Sequence, residues 1–139
     1  MGEDKGCIFC KIIAGEIPSS KIYEDDFSFA FLDIWPVNKG HVLVIPKKHC
    51  INLMDIPDDD LGELMIAAKK VAIAVKEGTG CDGISLNMSN EKAAGQEVFH
   101  AHVHIMPRFA SDGLKQWPHK TYEPGEMEKF SEEIRNKLK

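Results

Sequence analysis

Val98-Phe99-His100-Ala101-His102-Val103-His104-Ile105-Met106-Pro107-Arg108 puts three of the chain's six histidines at alternate positions. Ala101, Val103 and Ile105 sit between them, all apolar. A period of two is the period of a strand, so the three imidazoles are predicted to share one face while the apolar residues enter a core on the other. Same-face neighbours on a strand lie roughly 6.5–7 Å apart, close enough for two rings to act on one small ligand. A helix would scatter the histidines at steps of about 200° and bury nothing coherent. Three histidines with no Lys or Glu between them are hard to account for as a solvated face. A metal site, a nucleophile with an acid–base partner, and an anion site all remain open.

Working outward, Gly83 to Met88 alternates Ile84, Leu86 and Met88 against Ser85 and Asn87 and reads as a strand. A polar, glycine-bearing loop, Ser89 to Gln96, joins it to the histidine run. Upstream, Pro57-Asp58-Asp59-Asp60 opens the one long helix, with an acid as its cap and the others complementing its N-terminal charge. Leu61, Leu64, Met65, Ala68, Val71, Ala72 and Val75 form its apolar stripe, and Gly78 and Gly80 end it. His41 to Pro46 is nearly all apolar, as expected of a central strand. Lys21 to Glu24 and Phe27 to Leu32 are two more strands, and Ile8 to Ala14 a short helix. Glu126 to Leu138 reads as an amphipathic helix with Met127, Phe130, Ile134 and Leu138 on one side. The connections are short, so the sheet is predicted to be mostly antiparallel. The fold class is α+β: five strands, one long helix and smaller ones.

The chain of 139 residues suits one domain with a real core. A net charge of −5 without a basic run argues against nucleic-acid binding. No stretch is long and apolar enough for a membrane span, and the N-terminus lacks a signal-peptide core, so a cytoplasmic protein is the default expectation. The four cysteines are Cys7, Cys10, Cys50 and Cys81, and in a reducing compartment no disulfide framework is expected of them. Cys7 and Cys10 have the spacing that places two thiolates on one metal.

His100-Ala101-His102-Val103-His104-Ile105-Met106 resembles the signature of the histidine triad (HIT) family of nucleotide hydrolases and transferases. Ile8-Phe9-Cys10-Lys11-Ile12-Ile13, Ala30-Phe31-Leu32-Asp33-Ile34, Gly40-His41-Val42-Leu43-Val44-Ile45-Pro46-Lys47-Lys48-His49 and Gly95-Gln96-Glu97-Val98-Phe99-His100 are similar to that family's other blocks, in order. The resemblance covers about residues 7–109 and points to the Hint-like branch that carries a CxxC. It implies a HIT domain over residues 1–110 with 111–139 as a tail of the same domain. It also implies a homodimer whose two sheets join into one of ten strands, and a purine nucleotide site (AMP, GMP or their phosphoramidates) served by a covalent nucleotidyl-histidine.

The roles follow residue by residue as implications of that resemblance. His102 is the nucleophile, its tautomer set by the carbonyl of His100, and His104 holds a phosphate oxygen or protonates the leaving group. Gln96 and Asn87 face the phosphate. Asp33 accepts both ribose hydroxyls. Phe9, Phe31, Ile34 and Val98 border the nucleotide. Cys7, Cys10, His49 and His100 form a closed Cys₂His₂ set suited to structural zinc. Trp117-Pro118 is similar to a C-terminal Trp-Pro of Hint proteins, though it stands further from Arg108 than in them. The expected reaction is hydrolysis of a nucleoside phosphoramidate or nucleotidyl adduct. The alternatives are a dinucleoside polyphosphate hydrolase of the Fhit kind and a zinc-stabilised nucleotide-binding interaction module.

Overall fold

Two apolar central strands and the alternating histidine strand form the middle of one five-stranded sheet in the computed structural model, which describes residues 4–139. The elements are α1 (Ile8–Ile13), β1 (Lys21–Glu24), β2 (Ser28–Leu32), β3 (Val42–Pro46), α2 (Asp58–Thr79), β4 (Gly83–Asn87), β5 (Val103–Arg108) and α3 (Glu126–Arg135). Across the sheet the order is β1-β2-β3-β5-β4, and every neighbouring pair is antiparallel. The expected α+β class and strand count are observed, with β3 buried along its whole length at the centre.

The period of two divides the apolar residues between two cores. Ala30, Val42, Val44, Ala101, Val103 and Ile105 face α2, where Leu64, Ala67, Ala68, Val71 and Val75 cover them. Phe29, Phe31, Leu43 and Ile45 face the other way and pack on Phe9 and Ile12 of α1. Each fully buried aliphatic side chain here contributes about 1.5–3 kcal/mol. The sheet is therefore held from both sides, and the small helix α1 roofs the side that carries the histidines.

Several local expectations need correction. The ladder of β5 starts at Val103, so His100, in a bend, and His102 precede it. Its would-be partner on β3 ends at Pro46, whose carbonyl is taken by the His100 ring at 2.8 Å. Instead Ala101 N–H bonds the Cys50 carbonyl at 2.7 Å. The alternation of faces persists, with Ala101, Val103 and Ile105 in one core. Pro57, not an acid, is the N-cap of α2, and Asp58, Asp59 and Asp60 sit inside the first turn, where they act through charge alone. Met65 is exposed and Ala67 takes its place in the buried stripe. Leu86 is half exposed because β4 is an edge strand, whereas Ile84 and Met88 do pack on the core. The last helix stops at Arg135, before Leu138, and buries none of its residues. Among the described residues no helix is long and apolar enough to cross a membrane.

Candidate active site

Three histidines emerge on the α1 side of the sheet and meet a fourth. His100 is fully buried and His102 nearly so, while His104 lies in the ladder between Leu43 of β3 and Asn87 of β4. The rings of His102 and His104 stand 5.0 Å apart, and Phe9 meets His102 edge-on at 5.2 Å. The fourth is His41, just before β3, 3% exposed.

The tautomers follow from donors and acceptors whose identity is certain. The Nδ1 of His102 lies 2.7 Å from the His100 carbonyl, which only accepts. His102 therefore donates from Nδ1 and keeps its lone pair on Nε2. The backbone N–H of Val37 donates to Nδ1 of His41 at 3.1 Å. A neutral His41 then carries its proton on Nε2, which lies 2.9 Å from Nδ1 of His104. His104 must accept there and is left with Nε2–H as its free donor. Asp33 Oδ2 lies 3.6 Å from His41 Nε2, and its Oδ1 accepts from Trp35 N–H at 2.8 Å. The pair His102 and His104 thus presents one free lone pair beside one free N–H.

Burial keeps these rings neutral. It lowers the pKa of His102, against the hydrogen bond to the His100 carbonyl and then the charge of Asp33, and that of His41, against Asp33. Burial, with the neighbouring His102 and His41, takes His104 down to about 4. A neutral imidazole is the form that can attack or donate without first losing a proton to water.

The rings line a cavity of about 560 Å³, a size suited to a small ligand. Its apolar part includes Phe9, Ile12, Phe31, Leu43 and Val98, and its polar part Asp33, Asn87, Glu97, His102 and His104. Ile34 and Trp35 stand at its edge, 82% and 84% exposed. Of the residues expected at the nucleotide, Phe9, Phe31, Ile34, Val98, Asp33 and Asn87 all reach this one cavity. Gln96 does not line it. Its buried amide accepts from Glu91 N–H at 2.7 Å and donates to the carbonyls of Ile51 and Val98 at 2.6 and 3.1 Å. It pins the loop ahead of the histidine run and supports Glu91, which has a left-handed φ of 73°. His41 was absent from the sequence-derived set; its signal is a histidine heading an otherwise apolar, fully buried strand.

A second group lies behind the first. Cys7 Sγ is 3.4 Å and Cys10 Sγ 3.5 Å from Nδ1 of His100. His49 Nδ1 is 3.5 Å from Cys10 Sγ and 3.2 Å from His100 Nδ1. All four donor atoms lie within 4.8 Å of one another. Four ligands at Zn–S of about 2.3 Å and Zn–N of about 2.0–2.1 Å would stand roughly 3.4–3.8 Å apart in a tetrahedron. The donor set and its spacing therefore fit a tetrahedral metal. Cys7 also caps α1, taking the N–H of Cys10 on its sulfur, so the short helix positions both thiols. His100 turns Nδ1 to this group because its Nε2 donates to Pro46. Among these residues alone, burial raises the Cys10 thiol to about 11, a cost that a bound cation would reverse.

The HIT domain family model matches residues 14–111, which span the sheet, α2 and the histidine run. This chain is a member of the HIT family. A HIT-like protein of Methanocaldococcus jannaschii is 50% identical over 107 residues, 77% of this chain and 82% of its own length. The adenosine 5′-monophosphoramidase HNT1 of Saccharomyces cerevisiae is 44% identical over 137 residues, 97% of this chain and 84% of its own. Among solved structures, the SMU.412c protein of Streptococcus mutans UA159 superposes with a TM-score of 0.91 at 43% identity, covering 99% of this chain and 88% of that one. A HIT family protein from Bacillus subtilis gives 0.90 at 41% identity, covering 97% and 99%. A zinc-bound histidine triad protein from Mycobacterium smegmatis gives 0.75 at 38% identity, covering 83% and 84%. The HIT domain here belongs to the Hint-like branch, with the CxxC pair in place.

Proposed function

We propose that this HIT protein hydrolyses purine nucleoside 5′-phosphoramidates or nucleotidyl adducts through a nucleotide held covalently on His102. The observation that carries the reading is the 2.7 Å bond from His102 Nδ1–H to the His100 carbonyl, which leaves Nε2 nucleophilic in the cavity. Nε2 attacks the α-phosphorus, the P–N bond to the leaving amine breaks, and the amine takes up a proton. His104 Nε2–H is the nearby donor for that proton or for a phosphoryl oxygen. Water then attacks the phosphorus, the P–N bond to His102 breaks, and AMP or GMP leaves. Asp33 serves the ribose diol, while Phe9, Phe31, Ile34 and Val98 enclose the purine, and Asn87 meets the phosphate. Gln96 acts by holding the phosphate loop from behind. The yeast relative named for adenosine 5′-monophosphoramidase activity supports this substrate class.

Zinc is proposed on Cys7, Cys10, His49 and His100. All four positions of a tetrahedron are filled by protein, so it would serve as a cross-link and take no part in the chemistry. The zinc-bound relative supports the choice of metal. A cytoplasmic homodimer completes the reading, with the unpaired edge of β4 as the place where two sheets join.

The test is AMP release from adenosine 5′-phosphoramidate and from diadenosine polyphosphates by wild type and His102→Ala. Release from the phosphoramidate by wild type alone is expected. Release surviving in His102→Ala would overturn the nucleophile, and preference for the polyphosphates would move the protein to the Fhit-like alternative.

A further inference from the structure

A backbone group on an exposed stretch of chain fixes the proton of a buried ring. Ile34, Trp35 and Val37 are exposed, and no regular structure runs from Asp33 to His41. Yet the Val37 N–H is aimed at Nδ1 of the buried His41, and that bond places the His41 proton between the two rings. One hydrogen bond open to competition from water does not hold a loop in place by itself.

What holds the loop is Asn38. Its Nδ2 donates to the Pro107 carbonyl at 2.8 Å and to Oδ2 of Asp112 at 3.1 Å, partners 69 and 74 residues away. Both partners only accept, so the orientation of the amide is settled and both of its N–H groups are used. Asp112 is held independently of Asn38. Arg108 Nε and the Phe109 N–H donate to its Oδ2 at 2.8 and 3.0 Å, and Arg108 Nη2 and the Leu114 N–H to its Oδ1 at 3.1 and 3.0 Å. The Asn38 carbonyl in turn accepts the His41 N–H at 3.1 Å. Gly40 seats the other flank of the loop. Its φ is 101°, and a Cβ there would lie 2.6 Å from the Thr79 methyl at the end of α2.

We propose that Asn38, clamped by Asp112 and the Pro107 carbonyl, is a positioning residue of this site: it holds the Val37 N–H on His41 and so keeps the free N–H of His104 at Nε2. Pro107 lies on β5 with His104. The clamp therefore ties the loop that carries Asp33, Val37 and His41 to the strand that carries His104, and the two rings share one frame. Without it the Val37 N–H leaves Nδ1 of His41, whose proton can then sit on either nitrogen. His104 in turn loses the donor that makes it accept at Nδ1. Asn38 does not line the cavity, so it acts only through His41.

The effect on rate rests on the function proposed above; the effect on proton placement does not. Ring-nitrogen NMR separates protonated from unprotonated imidazole nitrogens. It is read on the full chain for wild type, Asn38→Ala, Asn38→Asp and Val71→Ala, beside kcat and KM for AMP release from adenosine 5′-phosphoramidate. Asn38→Asp keeps the shape of the side chain and lacks both N–H groups, and Val71→Ala weakens the α2 core away from the loop. In wild type the His41 and His104 protons are expected on Nε2 alone. Both Asn38 variants are expected to spread them over two nitrogens, with kcat lowered about three- to tenfold and KM changed less than about twofold. Val71→Ala is expected to melt at a lower temperature with wild-type ring protonation. Wild-type ring protonation in both Asn38 variants, or mixing in Val71→Ala as well, would overturn the clamp and leave the proposed function standing. Mixed protonation with an unchanged kcat would overturn its bearing on the reaction. Absence of AMP release by wild type would overturn the proposed function, and the ring nitrogens would still decide the clamp.

Discussion

Two groups of histidines sit in this molecule and are made of similar parts. One combines His49 and His100 with Cys7 and Cys10, the other His41 and His104 with Asp33, and in each the donor atoms lie within 4.8 Å of one another. What separates them is the partner of each ring's far nitrogen. In the first, the Pro46 carbonyl takes the proton of His100 at Nε2, so Nδ1 faces the sulfurs with a lone pair. In the second, the Val37 N–H occupies His41 Nδ1, so the proton is forced to Nε2 and lies between two rings. A carbonyl behind the ring prepares a metal ligand; an N–H behind it prepares a proton donor. The same residue types are thus set to opposite uses by one backbone group each.

His102 stands between the groups and depends on both, so substitutions can separate them. The largest expected effect is from His102→Ala, which removes the proposed nucleophile. AMP release from a phosphoramidate should fall about 10⁴-fold, read as single-turnover rate, while metal content stays at the wild-type level. Cys10→Ser should do the reverse. Metal measured by elemental analysis should be lost, and the melting temperature should drop to that of chelator-treated wild type. The rate at a temperature where the variant is folded should fall less than in His102→Ala, because the His100 carbonyl remains beside His102. Equal losses of rate in the two variants would break the distinction between them.

His41→Ala should lower kcat about 10- to 100-fold with a smaller, few-fold rise in KM, since it frees the tautomer of His104 and removes the neighbour of Asp33 at 3.6 Å while leaving the apolar wall of Phe9, Phe31 and Val98 in place. Metal content should not change. A loss of metal in this variant would show that the two groups are one network. The smallest effect is expected from Gln96→Ala. It leaves the Glu91 N–H and two carbonyls unsatisfied and should cost about 1–3 kcal/mol in denaturant unfolding, with a few-fold rise in KM as the loop loosens.

Much of this organisation was legible beforehand, for local reasons. Alternation marks the histidine run, and near-continuous apolar runs mark β2 and β3, because the two faces of these central strands meet the α1 and α2 cores. The CxxC pair was legible because a single turn of chain sets its spacing. Three features were not. Gln96, next to a histidine run, reads as a ligand contact, and only the fold brings Ile51 to it from 45 residues away. His41 reads as one more strand residue until its ring is seen 2.9 Å from that of His104, 63 residues on. The apolar stripe of α3 reads as a core face, yet no core of its own chain meets it.

The amino-acid sequence by itself determined the strand that carries the histidines, the central apolar strand, the amphipathic helices and the family, because each rests on short-range periodicity or on residues joined by a few bonds. Tertiary structure alone decided which nitrogen of each histidine holds its proton, which residues close the metal-like tetrahedron, and that Gln96 turns inward. Those outcomes depend on backbone carbonyls and N–H groups brought together from distant positions, and every residue carries the same backbone groups whatever its side chain.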